Sequence, residues 1–177
     1  FFEVAQGMML DIDRGTYPYV TSSSPSACYA PQGGGIPPQS IKNVVAICKA
    51  YTTRVGAGPF PSELANALGD KIREIGHEYG TVTKRPRRVG YLDLVVVKQM
   101  LQMSGATDIA LMLFDVLIGI SPLKVCYAYN LNGKTIDYIP ASINDYSKCK
   151  PIYKTFKPYK FDESKISQAL RKRQPSE

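Results

Sequence analysis

The chain has 177 residues, 44% of them hydrophobic, enough for one core and within the range of one domain. Its 22 basic residues against 15 acidic ones give a net charge of +7, which favours anionic partners (nucleotides, nucleic acid or anionic lipid) without choosing among them. No apolar run reaches the roughly 20 residues that cross a bilayer. Cys28, Cys48, Cys126 and Cys149 form no Cys-x-x-Cys pair, so reduced thiols in a cytoplasmic protein are expected rather than a disulfide framework.

Residues 1–4 read as the end of a buried strand that feeds a polar loop at Gln6. Residues 22–38, rich in serine, glycine and proline, predict a turn-rich crossing. Ile41, Val44, Val45 and Cys48 follow helical spacing, with Ser40 placed to cap them. Residues 51–55 are β-branched and aromatic and predict a strand, broken by the glycines and prolines of 56–61. Ser62 is placed to cap the next helix, with Glu63 in its first turn. Leu64, Leu68, Ile72 and Ile75 make its apolar stripe, and Gly76 ends it.

A polar loop over 78–90 leads to a helix over 92–103 and then to a buried strand over 109–117. Residues 124–129 and 134–139 flank Asn132-Gly133, a strong hairpin signal. From Pro151 onward the chain is rich in lysine and tyrosine, with a short helix expected around 166–170. Alternating strands and helices predict an α/β architecture with a partly parallel sheet. In such sheets ligands sit in the loops at strand ends.

Three polar, irregular segments carry the chemistry. The first, residues 6–23, reads Gln-Gly-Met-Met-Leu-Asp-Ile-Asp-Arg-Gly-Thr-Tyr-Pro-Tyr-Val-Thr-Ser-Ser. The second, residues 49–64, contains Tyr-Thr-Thr-Arg-Val-Gly-Ala-Gly-Pro-Phe-Pro-Ser-Glu, and the third covers residues 77–93. In the third, Lys84, Arg85, Arg87 and Arg88 crowd four cations around Pro86. Arginine forks suit phosphate and carboxylate. A solvated charge run or a nucleic-acid patch is the competing reading.

Asp11 and Asp13 could bind metal or act as acid and base, but turn formation is favoured because Thr16, Tyr17 and Pro18 follow closely. Arg14 is expected to pair with a neighbouring acid. His77, the single histidine, sits where the dipole of the preceding helix ends, a position suited to packing. Gly133-Lys134-Thr135 is not a phosphate loop, because Ala128 occupies the position of the required glycine. Gly33-Gly34-Gly35 lacks a strand-turn-helix context.

Taken in order, the three segments resemble adenylosuccinate synthetase, the family that uses GTP to join aspartate to inosine monophosphate (IMP). The likeness runs from Phe1 to about Tyr159. It implies an α/β fold: part of a P-loop-NTPase-like, mostly parallel sheet flanked by helices, with a small antiparallel hairpin. It also implies a domain over 1–160, followed by a basic, weakly structured tail over 161–177.

By resemblance, Gln6 approaches the reacting edge of IMP, Thr21 binds its phosphate and Val55 lies along its ribose. Thr81, Val82, Thr83, Lys84, Arg85, Pro86 and Arg87 form the aspartate loop. Within it Arg85 meets IMP and the aspartate carboxylate, and Arg87 lies nearer GTP. Leu113, Phe114 and Asp115 stand at the guanine-reading segment, where Asp115 keeps the carboxylate that pairs with guanine.

The chain departs from the family pattern at Val4, Lys84 (each a family glycine), Val82 (a threonine), Leu113 (a lysine) and Ala27-Cys28-Tyr29 (a glycine-rich loop). A glycine needed for a positive φ at position 84 would make lysine disruptive there. The family's phosphate loop Gly-Asp-Glu-Gly-Lys-Gly-Lys, its catalytic aspartate, its catalytic histidine and its magnesium contacts have no counterpart here. GTP and Mg2+ are implied by the family, with no metal ligand expected in this chain.

The resulting expectation is a diverged central-to-C-terminal piece that does not turn over alone, from a cytoplasmic, homodimeric family. One alternative is a non-catalytic binder of anions or nucleic acid; another is a sheet left with exposed edges.

Overall fold

The computed structural model describes residues 1–82 and 84–158. In chain order it comprises α1 (Ala30–Gly34), β1 (Val45–Lys49), β2 (Tyr51–Arg54), α2 (Ala67–Ile75), β3 (Arg88–Asp93), α3 (Leu94–Ser104), β4 (Asp108–Met112), β5 (Leu123–Leu131), β6 (Lys134–Ile136), α4 (Ile143–Lys148) and β7 (Lys150–Phe156). The architecture is α/β with mixed sheets. β1 pairs with β4 in parallel as a separate ribbon. The other sheet runs β2-β3-β5-β6, with β7 on the free side of β5. Its β3–β5 ladder is parallel and its β2–β3, β5–β6 and β5–β7 ladders are antiparallel.

Locally specified elements formed as the residues predict. Asn132 and Gly133 both adopt positive φ, 52° and 85°, the left-handed pair that a two-residue hairpin requires. α3 forms where a helix was expected but begins at Leu94 rather than Leu92, because Asp93 caps it by accepting the amides of Val95 and Val96; Gly105, with φ 67°, closes it. α2 ends at Gly76 as expected, but Asn66, not Ser62, caps it. Ser62 is fully buried ahead of the helix, and Leu64 joins the core from the same extended stretch.

Several elements differ from the sequence reading. Residues 88–93, expected as the end of a polar loop and the start of a helix, form β3, and α4 falls where no element was expected. Residues 45–49 form a strand, not a helix. A single 3-10 turn over Pro38–Ser40 precedes them, its C-cap Ile41 is extended, and parallel pairing with β4 holds Val45–Lys49 as a strand. β4 is neither long nor buried: Leu113, with φ 58°, ends it, and the turn Asp115–Leu117 swings Val116 and Leu117 into the core instead. Residues 1–4 are irregular and exposed, with the Phe2 ring against Gly34. Residues 151–156, expected as part of a lysine-rich tail, belong to β7, which pairs along most of β5; Tyr153 packs against both cores while Lys150 and Lys154 are exposed. The helix expected around 166–170 and the tail over 161–177 lie outside the described residues.

Two cores result. Tyr51, Leu64, Ile72, Val89, Tyr91, Val116, Leu117 and Ile120 fill the one beneath β2 and β3. Val95, Cys126, Tyr129, Tyr146 and Cys149 fill the one between α3, β5 and α4. Asp93 links α3 to the second core, since its Oδ2 accepts the Tyr129 hydroxyl at 2.7 Å. All four cysteines are free thiols. On the β1–β4 ribbon Val45, Ile47, Ile109 and Leu111 are exposed, although parallel strands are ordinarily covered on both faces. Among the described residues no helix is long and apolar enough to cross a membrane.

Candidate functional site

The first segment is shaped by Asp11, which is completely buried. Its Oδ1 accepts the amides of Asp13 and Arg14, both at 2.9 Å, and its Oδ2 accepts the amide of Ser26 at 3.2 Å. That carboxylate therefore builds a turn and fastens it to the following crossing, as the turn reading anticipated. Asp13 accepts the Tyr29 hydroxyl at 2.5 Å. Arg14 forms no ion pair among the described residues.

With the turn fixed, the Thr21 amide donates to the Leu10 carbonyl at 2.8 Å. Three polar side chains then gather at the surface. The Thr21 and Ser23 hydroxyls are 2.8 Å apart, and both reach Gln6 Oε1, at 3.3 and 2.7 Å. Gln6 itself is held at φ 69°.

The second segment lies against the first through Arg54, which is 8% exposed. Its Nη2 donates to Thr16 Oγ1 at 2.9 Å and to the Tyr19 carbonyl at 3.4 Å, and its Nε donates to the Ala57 carbonyl at 2.9 Å. Burial draws its pKa down, and among the described residues it has no carboxylate partner. Gly58 is required here. Its φ is 108°, and a Cβ would lie 2.4 Å from Arg54 Nη2. Val55, next to Arg54, is exposed.

Across the β2–β3 ladder Arg54 faces Arg88. Arg88 grips Glu63 with two bonds, Nε to Oε1 at 2.7 Å and Nη2 to Oε2 at 2.6 Å, and donates to the Gly58 carbonyl at 2.9 Å. The Glu63 hydrogen bonds push the Arg88 pKa up. A cleft of about 480 Å³ opens beside Tyr19, Gly58, Phe60 and Arg88, and holds none of the residues expected to meet substrate.

The third segment is a tight hairpin. The Arg87 amide donates to the Glu78 carbonyl, the Gly80 amide to the Arg85 carbonyl and the Lys84 amide to the Gly80 carbonyl, each at 2.9 Å. Thr81, Val82, Lys84, Arg85 and Pro86 are exposed, and Thr83 lies outside the described residues. Neither Lys84 nor Arg85 forms an ion pair among the described residues. Lys84 stands at φ 53°, the left-handed region that suits glycine. The hairpin is therefore reached with lysine, at a conformational cost of about 1–2 kcal/mol.

Arg87 Nη1 donates to Glu78 Oε2 at 2.7 Å. Glu78 Oε1 accepts from Lys49 and from the Tyr51 hydroxyl, both at 2.6 Å. Leu113, Phe114 and Asp115 are exposed just beyond β4, with Asp115 in electrostatic range of Tyr51.

The adenylosuccinate synthetase family model matches residues 1–173. The chain belongs to the adenylosuccinate synthetase family. The enzyme of Listeria monocytogenes is 59% identical over 152 residues, which is 86% of this chain and 35% of that one. The enzyme of Ligilactobacillus salivarius is 55% identical over 161 residues, covering 91% of this chain and 37% of the relative. The chain thus spans about a third of the length of the curated relatives it matches.

Among solved structures, fully ligated adenylosuccinate synthetase from Plasmodium falciparum superposes with a TM-score of 0.86 at 39% identity, over 92% of this chain and 39% of that one. Cyanophage S-2L succinoaminodeoxyadenylate synthetase, bound to dGMP and dATP, matches with a TM-score of 0.51 at 27% identity, over 62% of this chain and 34% of the phage protein.

Within this chain the second segment is the common neighbour of the other two. Arg54 joins it to the first, while Lys49 and Tyr51 join it to the third. Magnesium needs several convergent oxygens. Among the described residues no three His, Cys, Asp or Glu side chains converge, and the oxygens of Asp11 are occupied by amides. The described residues do not fit that ion. His77 is exposed just beyond α2 and, among the described residues, belongs to no cluster of metal-ligating side chains.

Sequence reasoning missed Arg54, Glu63 and Glu78. The partners through which they join one segment to another lie 25 to 38 residues away, so no local pattern exposes those joints. The usable signal was chemical: a glutamate between two helix-breaking stretches, in a segment already rich in cations.

Proposed function

We propose that this chain carries the IMP- and aspartate-facing part of an adenylosuccinate synthetase, with GTP as co-substrate. The observation that carries the reading is the convergence of Gln6, Thr21 and Ser23 into one surface cluster, on a segment fastened by Arg54 to the wall that also anchors the cationic hairpin.

In this reading the Thr21 hydroxyl donates to the IMP phosphate, and Val55 lies along the ribose. Gln6 faces the 6-oxygen, which GTP phosphorylates; the aspartate amine then attacks C6, and the 6-oxygen leaves as part of the phosphate. Arg85, exposed and without an ion pair among the described residues, meets IMP and the aspartate carboxylate. Asp115 accepts from the guanine N1–H and amino group, with Arg87 near the same nucleotide. Leu113 supplies no charge where relatives carry lysine, which weakens the GTP side. A cytoplasmic homodimer belongs to the same reading.

Calorimetric titration of the chain with IMP tests it. A charge-assisted bond to phosphate or carboxylate contributes about 1.5–3 kcal/mol, so Arg85→Ala is expected to weaken IMP binding about tenfold or more. Equal affinity in parent and variant would refute the reading.

A further inference from the structure

Glu78 has no role in the substrate contacts above, yet its residue is 1% exposed and both carboxylate oxygens are engaged. Burial alone would push its pKa up, but the hydrogen bonds from Lys49, Tyr51 and Arg87 outweigh it and hold the group below its ordinary range. Arg87 is bonded to Glu78 twice: its amide donates to the Glu78 carbonyl and its Nη1 to the carboxylate.

The neighbouring Arg88 points to Glu63 instead, as successive residues of an extended chain must face opposite ways. Each arginine of the pair is thus aimed by its own glutamate. Beyond the Glu78 contact the hairpin continues through the Gly80–Arg85 and Lys84–Gly80 backbone bonds, and Lys84 and Arg85 project from it into solvent.

We propose that Glu78 is a positioning residue for nucleotide recognition: it fixes the direction of Arg87 and pins the base of the hairpin that presents Lys84 and Arg85. The identity of the nucleotide rests on the proposed function; the clamp itself does not. An arginine has five N–H donors, and Glu78 engages one of Arg87's. The remaining fork is held in a single orientation before ligand arrives, which lowers the ordering cost of binding. Simple electrostatics predicts the opposite effect, since a carboxylate beside a basic loop repels an anionic ligand. Removing the charge therefore separates the two roles by sign.

Glu78→Gln keeps the side-chain volume. Its amide oxygen can still accept from Lys49 and Tyr51, while its NH2 meets Arg87 donor to donor. Asp137→Asn serves as the charge-matched control, because among the described residues Asp137 pairs with Lys98 of α3 at the surface and not with the hairpin. Amide hydrogen exchange without ligand is measured first, then GTP and IMP affinities by calorimetry.

In Glu78→Gln the amides of Gly80, Lys84 and Arg87 are expected to exchange about tenfold faster, with GTP affinity falling about tenfold. The body of α2 stays unchanged, Asp137→Asn behaves as the parent, and IMP affinity changes less than about threefold. Unchanged exchange overturns the clamp whether or not nucleotide binds. Faster exchange with equal or tighter GTP binding overturns the positioning role. If the parent binds neither nucleotide while exchange responds, the clamp is upheld and the proposed function falls. Should Glu78→Gln not fold, Arg87→Gln leaves Glu78 paired with Lys49 and is read by exchange, where unchanged protection again overturns the clamp.

Discussion

Replacing Arg54 by methionine tests whether one buried guanidinium holds the first two segments together. Methionine keeps the unbranched stem but removes the bonds to Thr16 Oγ1 and the Ala57 carbonyl, each 2.9 Å, and the 3.4 Å bond to the Tyr19 carbonyl. The two short bonds from a charged donor are together worth about 3–6 kcal/mol, and the long one adds little. Against this, a cation that is 8% exposed, with no carboxylate partner among the described residues, has given up most of its hydration. Its removal recovers about 1–4 kcal/mol.

The balance is a destabilisation of about 2 kcal/mol, which for a chain of this size lowers Tm by about 4–8 °C. Urea unfolding of the parent, Arg54→Met and Arg54→Lys measures it. The lysine variant should recover about half, since one donor can reach one oxygen but cannot fork. A methionine variant within about 0.5 kcal/mol of the parent would refute the reasoning.

Three further outcomes are expected. Lys84→Gly relieves a left-handed lysine (about 1–2 kcal/mol) but adds unfolded-state entropy (about 0.4–1 kcal/mol), so stability should rise by about 0.5 kcal/mol in the same assay; a loss beyond about 1 kcal/mol would count against the hairpin geometry. Because Glu78 is held below its ordinary range, folding favours its ionised form, and that stabilisation is full above the ordinary value of about 4.3 and fades as pH falls through the folded value. Stability should therefore decline less steeply with acid in Glu78→Gln than in the parent, and equal slopes would be inconsistent with the buried contacts. Residues 1–177 supplied with IMP, aspartate and GTP should release no adenylosuccinate by chromatography, because the phosphate-loop sequence does not occur in them; steady product formation would contradict this.

Elements whose instructions are local could be read from the residues. α3 carries its own cap in Asp93 and its own stop in Gly105, and the β5–β6 turn is specified by Asn132-Gly133 alone. β1 and β7 could not be read that way. Val44, Val45 and Cys48 fit a helical stripe as well as a strand, and what decides is the register of β1 with Asp108–Met112, some sixty residues on. Likewise the lysines of 150–157 conceal Ile152 and Tyr153, which gain meaning only against β5.

The three polar segments were visible because each is continuous. Their joints were not, because Arg54–Thr16, Arg88–Glu63 and Lys49–Glu78 are made between segments rather than within them. The departures at Lys84 and Leu113 were legible as residues, and the structure adds that both occupy left-handed backbone, so their cost is conformational as well as electrostatic.

The central claim is that Thr21 and Arg85, which stand 64 positions apart in the sequence, serve the same nucleotide. A crystal structure of the chain with IMP tests it most directly. The account predicts one IMP molecule in hydrogen-bond contact with both the Thr21 hydroxyl and the Arg85 guanidinium. An IMP bound to one of them with the other on a separate face, or bound elsewhere altogether, would contradict it.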